Sequence, residues 1–279
     1  MNNIPALSGY GLGLRRAHYE SFLAGPVPVD FVEVISENYM VDGGNPLRVL
    51  ESVRQHTPVI LHGVSMSIGS ADGLDSDYLR ELKKLAARIE PLWLSDHICW
   101  TRTHAHNSHD LLPMPYTLEA LQVVCDNVHF AQETLERELV LENPSSYLTF
   151  PGDEMTEWEF IAAIADRTGC HLLLDINNVV VSAHNHGFSA DDYVAGLPLD
   201  RVRQAHLAGL SDGEIKIDTH DQPVPSATWE LFARTQPLLG DVAVMIERDD
   251  NIPALDALLA ELAVARDIAH GVDAQRMSR

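Results

Sequence analysis

The chain has 279 residues, 46% of them hydrophobic and 22% charged, ordinary values for a globular protein. Its formal charge of −22 lacks the basic footprint that nucleic-acid binding needs and opposes docking on anionic lipid. No window approaches the ~20 continuous apolar residues of a membrane helix, and the N-terminal MNNIPALSGYGLGLRR carries no secretory signal pattern.

The predicted elements alternate along the chain. Short β-rich apolar runs fall at Phe31–Ile35, Pro58–His62, Pro91–Leu94, Glu138–Leu141, His171–Leu174, Val202–Leu207 and Val242–Ile246. Between them lie helical patterns. Tyr78–Ile89 places Leu79, Leu82, Leu85, Ala86 and Ile89 on one face, and Leu118–Arg137 and Glu157–Thr168 read similarly. Pro253 opens a last helix carrying Leu255, Leu258, Leu259 and Leu262. This alternation predicts a (β/α)8 TIM barrel, one domain over residues 1–279, with a doubly wound open sheet as the competing topology. The glycine-rich GYGLGLR has the wrong spacing for a dinucleotide loop and no strand before it. Cys99, Cys125 and Cys170 form no CxxC, which disfavours a disulfide framework or a cysteine zinc site and points to a reducing cytoplasm.

The ends of the runs carry the chemistry. They reach His62, Asp96 and His97, Glu142 and Asn143, Asp175 with Asn177 and Asn178, His206, and Glu247 with Asp249. In a parallel barrel these ends share one rim, where barrel active sites lie. Carboxylates gathered there repel one another and need a cation, and bound metal supplies it. Asp218 and His220, at i and i+2 in IDTH, point the same way if that segment is extended. The set is then His62, His97, Glu142, Asp175, His206, Asp218, His220 and Glu247, with Asn178 as an amide ligand. That is too many donors for one ion and fits two or three, bridged by carboxylate. A thiolate-free N/O set suits iron, manganese or zinc. Taken singly, each histidine reads as a hydrogen-bonded structural residue and each aspartate as a helix cap; the coincidence across strand ends argues otherwise. His104, His106 and His109 fall in THAHNSHD, expected to be a solvated loop. His184 and His186 flank Asn185 after the asparagine pair, while His18, His56, His129, His171 and His270 read as surface or packing residues.

The series HGVSMSIGS, SDHICW, DLLPMPYT, LENPSSY, GCHLLLDINN, HLAG, IDTH and IERD, with GLGLR and EVISENYM before it, resembles the motifs of the multinuclear non-heme iron-dependent oxidative enzymes. These were long catalogued as an uncharacterised bacterial family. The resemblance runs roughly from Gly9 to Ala263. It implies a TIM barrel holding two or three irons, mixed Fe(II) and Fe(III), with O2 as co-substrate. It implies oxidation of a ribosomally made precursor peptide, chiefly at cysteine, to oxazolone–thioamide, thiooxazole or related products. Another residue, such as a C-terminal aspartate, is also modified in the family. A small leader-peptide-binding protein is the implied partner. By the same resemblance His62 and His97 bind one iron and Glu142 bridges. Asp175, His206 and Glu247 bind the central iron, and Asn178, Asp218 and His220 a more weakly held third. Asp249 is implied as a nearby acid/base group. Arg248 departs from the apolar residue expected before that aspartate; it either pairs with Asp249 or a peptide carboxylate, or forms an outward salt bridge. The rival enzyme reading is a divalent-metal barrel isomerase or endonuclease-like hydrolase. The non-enzyme reading is an iron-storing or metal-sensing scaffold.

Overall fold

The computed structural model describes residues 7–103 and 106–271, so His104 lies outside the described residues. Eight parallel strands close into a barrel: β1 (Gly9–Gly13), β2 (Phe31–Ile35), β3 (Val59–His62), β4 (Leu94–His97), β7 (Leu139–Glu142), β8 (His171–Asp175), β9 (Val202–Leu207) and β10 (Ala243–Ile246). β1 closes the ring by pairing with both β2 and β10. The remaining strands, β5 (Trp100–Thr103) and β6 (His106–Leu112), form an antiparallel hairpin that follows β4. The helices are α1 (Tyr19–Ala24), α2 (Asn45–Val53), α3 (Ser76–Ile89), α4 (Leu118–Leu135), α5 (Glu157–Thr168), α6 (Ile176–His186), α7 (Ala190–Ala195), α8 (Ser226–Leu239) and α9 (Leu255–Ala269). The closed ring confirms the TIM-barrel expectation over the open sheet.

Local chemistry sets the helix ends. Asp75 caps α3 by accepting from the backbone N–H of Asp77 and Tyr78, and its five expected apolar residues are buried. Thr156 and Glu159 form a reciprocal capping box at the start of α5, and Gly169 ends it in the left-handed region at φ 71°. α6 starts straight from a strand, because Asp175, the last residue of β8, is also its N-cap.

Three expectations are corrected. The GYGLG segment, absent from the expected strands, is itself the strand β1. Glycine is a poor strand former, but a Cβ at Gly11 would sit 2.3 Å from the Phe31 ring, so only glycine lets that ring fill the barrel. The run expected over Pro91–Leu94 becomes a strand at Leu94–His97, carrying Asp96 and His97 inside it. THAHNSHD is no plain loop: His106 and His109 lie on β6.

The interior is stratified. Phe31, Ile60, Trp93, Val140, Leu173 and Met245 form a buried apolar plug inside the barrel, apart from the larger core between strands and helices. Two residues further along a strand the side chain returns to the same face. Ile60 therefore leads to His62, Val140 to Glu142, Leu173 to Asp175 and Met245 to Glu247. Register completes the alignment, with Asp175 beside His206 and His97 beside Glu142. The backbone N–H of Glu247 extends the ladder beyond β10 by donating to Leu207 O at 2.9 Å.

Candidate metal centre

Among the described residues, three groups of candidate donor atoms lie together at the C-terminal rim. His62, His97 and Glu142 form the first, Glu142, Asp175, His206 and Glu247 the second, and His220, Glu247 and Asp249 the third. Within each group the ligand atoms fall within 4.8 Å of one another. Glu142 and Glu247 each belong to two groups, so the three are chained through shared carboxylates.

The first group is set by what lies behind each ring. His97 Nδ1 contacts Gly63 O at 3.1 Å and His62 Nδ1 contacts Ser95 Oγ at 2.9 Å. Both rings then present Nε2 to Glu142 Oε2, at 3.3 Å each. The rings meet edge-on, 4.7 Å between centroids. Gly63 is required here, because a Cβ would stand 2.3 Å from Asp96 Oδ2. Asp96 itself faces away from the donors. It accepts from the N–H of Met66 and of His97, and burial beside Glu37 lifts its carboxyl to about 8.

In the second group one carboxylate serves two ends. Asp175 Oδ1 accepts from the Asn178 N–H at 2.7 Å, the helix-cap role expected of a lone aspartate, while Oδ2 is buried with no hydrogen-bond partner. Glu142 Oε2, His206 Nδ1 and Asn178 Oδ1 are also buried without a hydrogen bond. The Asn178 amide is oriented by donating from Nδ2 to Asn143 O at 3.0 Å. Four orphaned donor atoms in one rim are costly in an apolar medium, and a bound cation would satisfy them together. The residues present therefore fit a metal.

The third group is built differently from the sequence expectation. Asp218 and His220 do not align by extended geometry, because His220 adopts φ 47°. A left-handed non-glycine residue costs on the order of 1–3 kcal/mol and is typical of functional sites. The turn puts His220 Nε2 2.6 Å from Asp218 Oδ1 and Nδ1 3.3 Å from Glu247 Oε2. Asp218 is held by the Asn177 amide at 2.8 Å. It meets His220 without joining the donor group of Glu247 and Asp249.

The electrostatics follow from crowding. Burial lowers the basicity of His62 and brings His97 down to about 4. Burial pushes Glu142 far up and Asp175 to about 7. For His206 burial works downward, but Glu33, Glu247 and Glu142 overcome it and hold the ring well above its ordinary range. For Glu247 burial works upward, and His206 and His220 pull it well below. Protons thus share out a charge that a metal would otherwise neutralise.

Two residues of the site escaped the sequence reading. Glu33 lies on β2 with Oε1 3.2 Å from His206 Nε2. Its signal was a lone carboxylate at an inward position of FVEVI. Arg15, two residues beyond β1, ion-pairs with Asp249, donates from Nε to Arg248 O at 2.8 Å and lies 4.0 Å from Glu247. Arg248 takes the outward alternative: its guanidinium is buried against α9, pairing with Glu261 at 2.9 Å. Arg15 is the cation that meets Asp249. His186 contacts Ser146 Oγ at 2.9 Å and His184 the carbonyl of Glu214 at 3.3 Å, outside the three donor groups. Cys99, Cys125 and Cys170 are free and buried.

A TIM barrel with a buried histidine–carboxylate cluster at its rim is the class that fold and site define. Residues 9–270 match the family described as RiPP precursor modification enzyme MbnB/TglH/ChrH. The chain belongs to that family, the one its motif series resembles. A UPF0276 protein of Caulobacter vibrioides is 62% identical over 94% of this chain and 95% of its own length. Another, from Rhizorhabdus wittichii, is 60% identical with the same coverage. Among solved structures, a D-tagatose 3-epimerase-like protein matches with TM-score 0.60 and 13% identity, over 95% of this chain and 98% of that one. An L-ribulose 3-epimerase matches with TM-score 0.59 and 13% identity, over 97% and 96%. At that identity the likeness shows the barrel fold alone.

Proposed function

We propose that this protein binds two or three iron ions at the rim and uses O2 to oxidise a ribosomally made precursor peptide, with a cysteine as the target residue. The carrying observation is the chain of donor groups joined through Glu142 and Glu247, within which Glu142 Oε2, Asp175 Oδ2 and His206 Nδ1 are buried without a hydrogen bond. Family membership supports a peptide as substrate. In this reading His62, His97 and Glu142 hold one ion. Asp175, His206 and Glu247 hold, with Glu142, a second. His220 holds a third with Glu247, supported by Asp218 and by the Asn178 carbonyl. Bound iron would supply electron transfer and O2 activation, which no side chain offers.

The remaining tasks fall to the chain's own groups. Asp249 is the most open member, its side chain 41% exposed, so it faces arriving substrate as the acid/base group. Arg15 fixes its position. Arg248 is assigned no contact with substrate, because its side chain turns to Glu261. The apolar plug beneath the rim keeps water out of the barrel interior. A small protein that binds the leader peptide completes the proposal, acting in a reducing cytoplasm where the three thiols stay free. The fold likeness to sugar epimerases does not transfer their activity, since no conclusion about substrate follows from fold alone.

The test is co-expression with a candidate precursor, followed by elemental analysis and peptide mass spectrometry under air and without O2. Iron in the protein and an O2-dependent mass change in the peptide are expected. Stoichiometric zinc or manganese, with turnover of a sugar or phosphodiester and none of the peptide, would establish the rival class. Bound iron with no O2 uptake alongside any peptide would establish a storage or sensing role.

A further inference from the structure

Glu33 is a buried carboxylate inside the barrel that belongs to none of the three donor groups. Its Oε1 lies 3.2 Å from His206 Nε2. Gln204 Nε2 donates to Glu33 Oε2 at 2.6 Å. The Gln204 amide is oriented in turn by Trp93, whose indole N–H donates to Gln204 Oε1 at 2.9 Å. On the opposite edge of the same imidazole, Nδ1 faces Glu247 Oε2 at 3.0 Å, Glu142 Oε1 at 3.8 Å and Asp175 Oδ2 at 4.0 Å, and makes no hydrogen bond.

We propose that Glu33 is a positioning residue that accepts the Nε2 proton of His206 and so fixes the tautomer offering Nδ1 to a metal held with Glu142, Asp175 and Glu247. The proposal rests on reading the rim as a metal centre. A ligating imidazole is neutral and carries one proton, on the nitrogen away from the metal. If Nδ1 ligates, that proton sits on Nε2 and needs an acceptor. Gln204 Nε2, 2.9 Å away, is a donor and cannot serve. Glu33 can. His206 thereby differs from His62 and His97, which turn Nε2 inward and rest Nδ1 on a hydroxyl and a carbonyl. A carboxylate behind a ligating imidazole also makes it a stronger ligand. The opposite arrangement has Gln204 donating to a bare Nε2 and Nδ1 protonated toward Glu247, which would make His206 a salt-bridging histidine.

The two arrangements differ by the place of one proton, which nitrogen NMR reads. The full-length protein, labelled at its histidine nitrogens and loaded with diamagnetic Zn(II), gives the tautomer, with the His206 resonances identified by their loss in His206→Ala. The expected result is a protonated Nε2 and a metal-shifted Nδ1. Zinc affinity is measured against a chromophoric chelator. Glu33→Gln keeps an acceptor oxygen, so it should keep the tautomer and bind zinc about tenfold more weakly. Glu33→Leu should lose the tautomer preference and bind about 10–100-fold more weakly. A proton on Nδ1, or zinc affinity unchanged in Glu33→Gln, overturns the proposal. The near-isosteric Gln variant carries the test if the Leu variant does not fold. Wild-type protein that takes up neither zinc nor iron overturns the metal reading and this proposal with it. Normal uptake with the other tautomer overturns this proposal alone.

Discussion

Glu142 joins two of the three donor groups, while His97 belongs to one. Their losses should therefore differ in kind. Glu142→Gln is expected to lower metal content in both groups, and His97→Ala only in the first, as read by elemental analysis of purified protein. Activity should fall in each by more than the roughly 10–100-fold typical of outer-shell partners. His62→Ala and Glu247→Ala complete the series, and normal iron and activity in all would sink the site assignment. A second residue-scale prediction concerns Glu157, at the start of α5. Burial raises its carboxyl from 4.5 to about 7, against the pull of the Tyr193 hydroxyl, at 2.7 Å, and that of Tyr116. The folded state therefore holds this proton more tightly than the unfolded chain. Its stabilising contribution is complete below about pH 4.5 and is lost as pH rises to about 7. The loss is on the order of 3 kcal/mol. Melting curves of the wild type and Glu157→Gln across this window should show the wild type losing several degrees relative to the variant as pH climbs.

At the scale of elements, the barrel strands hold the donors and the helices hold the strands. Leu82 on α3 is buried against the outer core. Leu82→Ala should cost about 2–5 kcal/mol in chemical denaturation, without changing metal stoichiometry in the protein that remains folded. Thr156→Ala, which removes half of the capping box of α5, should cost about 1 kcal/mol by the same measurement. Periodicity alone made α3, α4 and α5 legible, because each buries one face. It gave no helix for α6, where Asn177 and Asn178 sit buried in the first turn. Their amides are spent on Asp218 and Asn143, contacts that no local pattern encodes. β1 escaped for a related reason: its Gly11 is explained by the Phe31 ring of the neighbouring strand β2, not by anything adjacent in sequence.

For the whole molecule, the charge of −22 is mostly a surface property. The donor groups use Glu142, Asp175, Glu247 and Asp249, four of the 41 acidic residues, so bound metal neutralises little of it. An acidic barrel mouth should attract a basic peptide or leader-binding partner by steering. Association rates measured between low and physiological salt should fall as salt rises, and rates indifferent to ionic strength would count against steering.

The sequence by itself determined the class of fold and named the residues that the fold gathers into the three candidate donor groups. Strand–helix alternation is a local signal, and in a parallel barrel every strand end points to the same rim. Only the tertiary structure decided how the donors divide. It showed that Glu142 and Glu247 are shared, that His220 reaches Asp218 through a left-handed turn, and that Arg15 rather than Arg248 meets Asp249. It also brought Glu33 behind His206 across the barrel interior. Those facts depend on which side chains meet across a closed ring of strands, and distance along the chain carries no record of that.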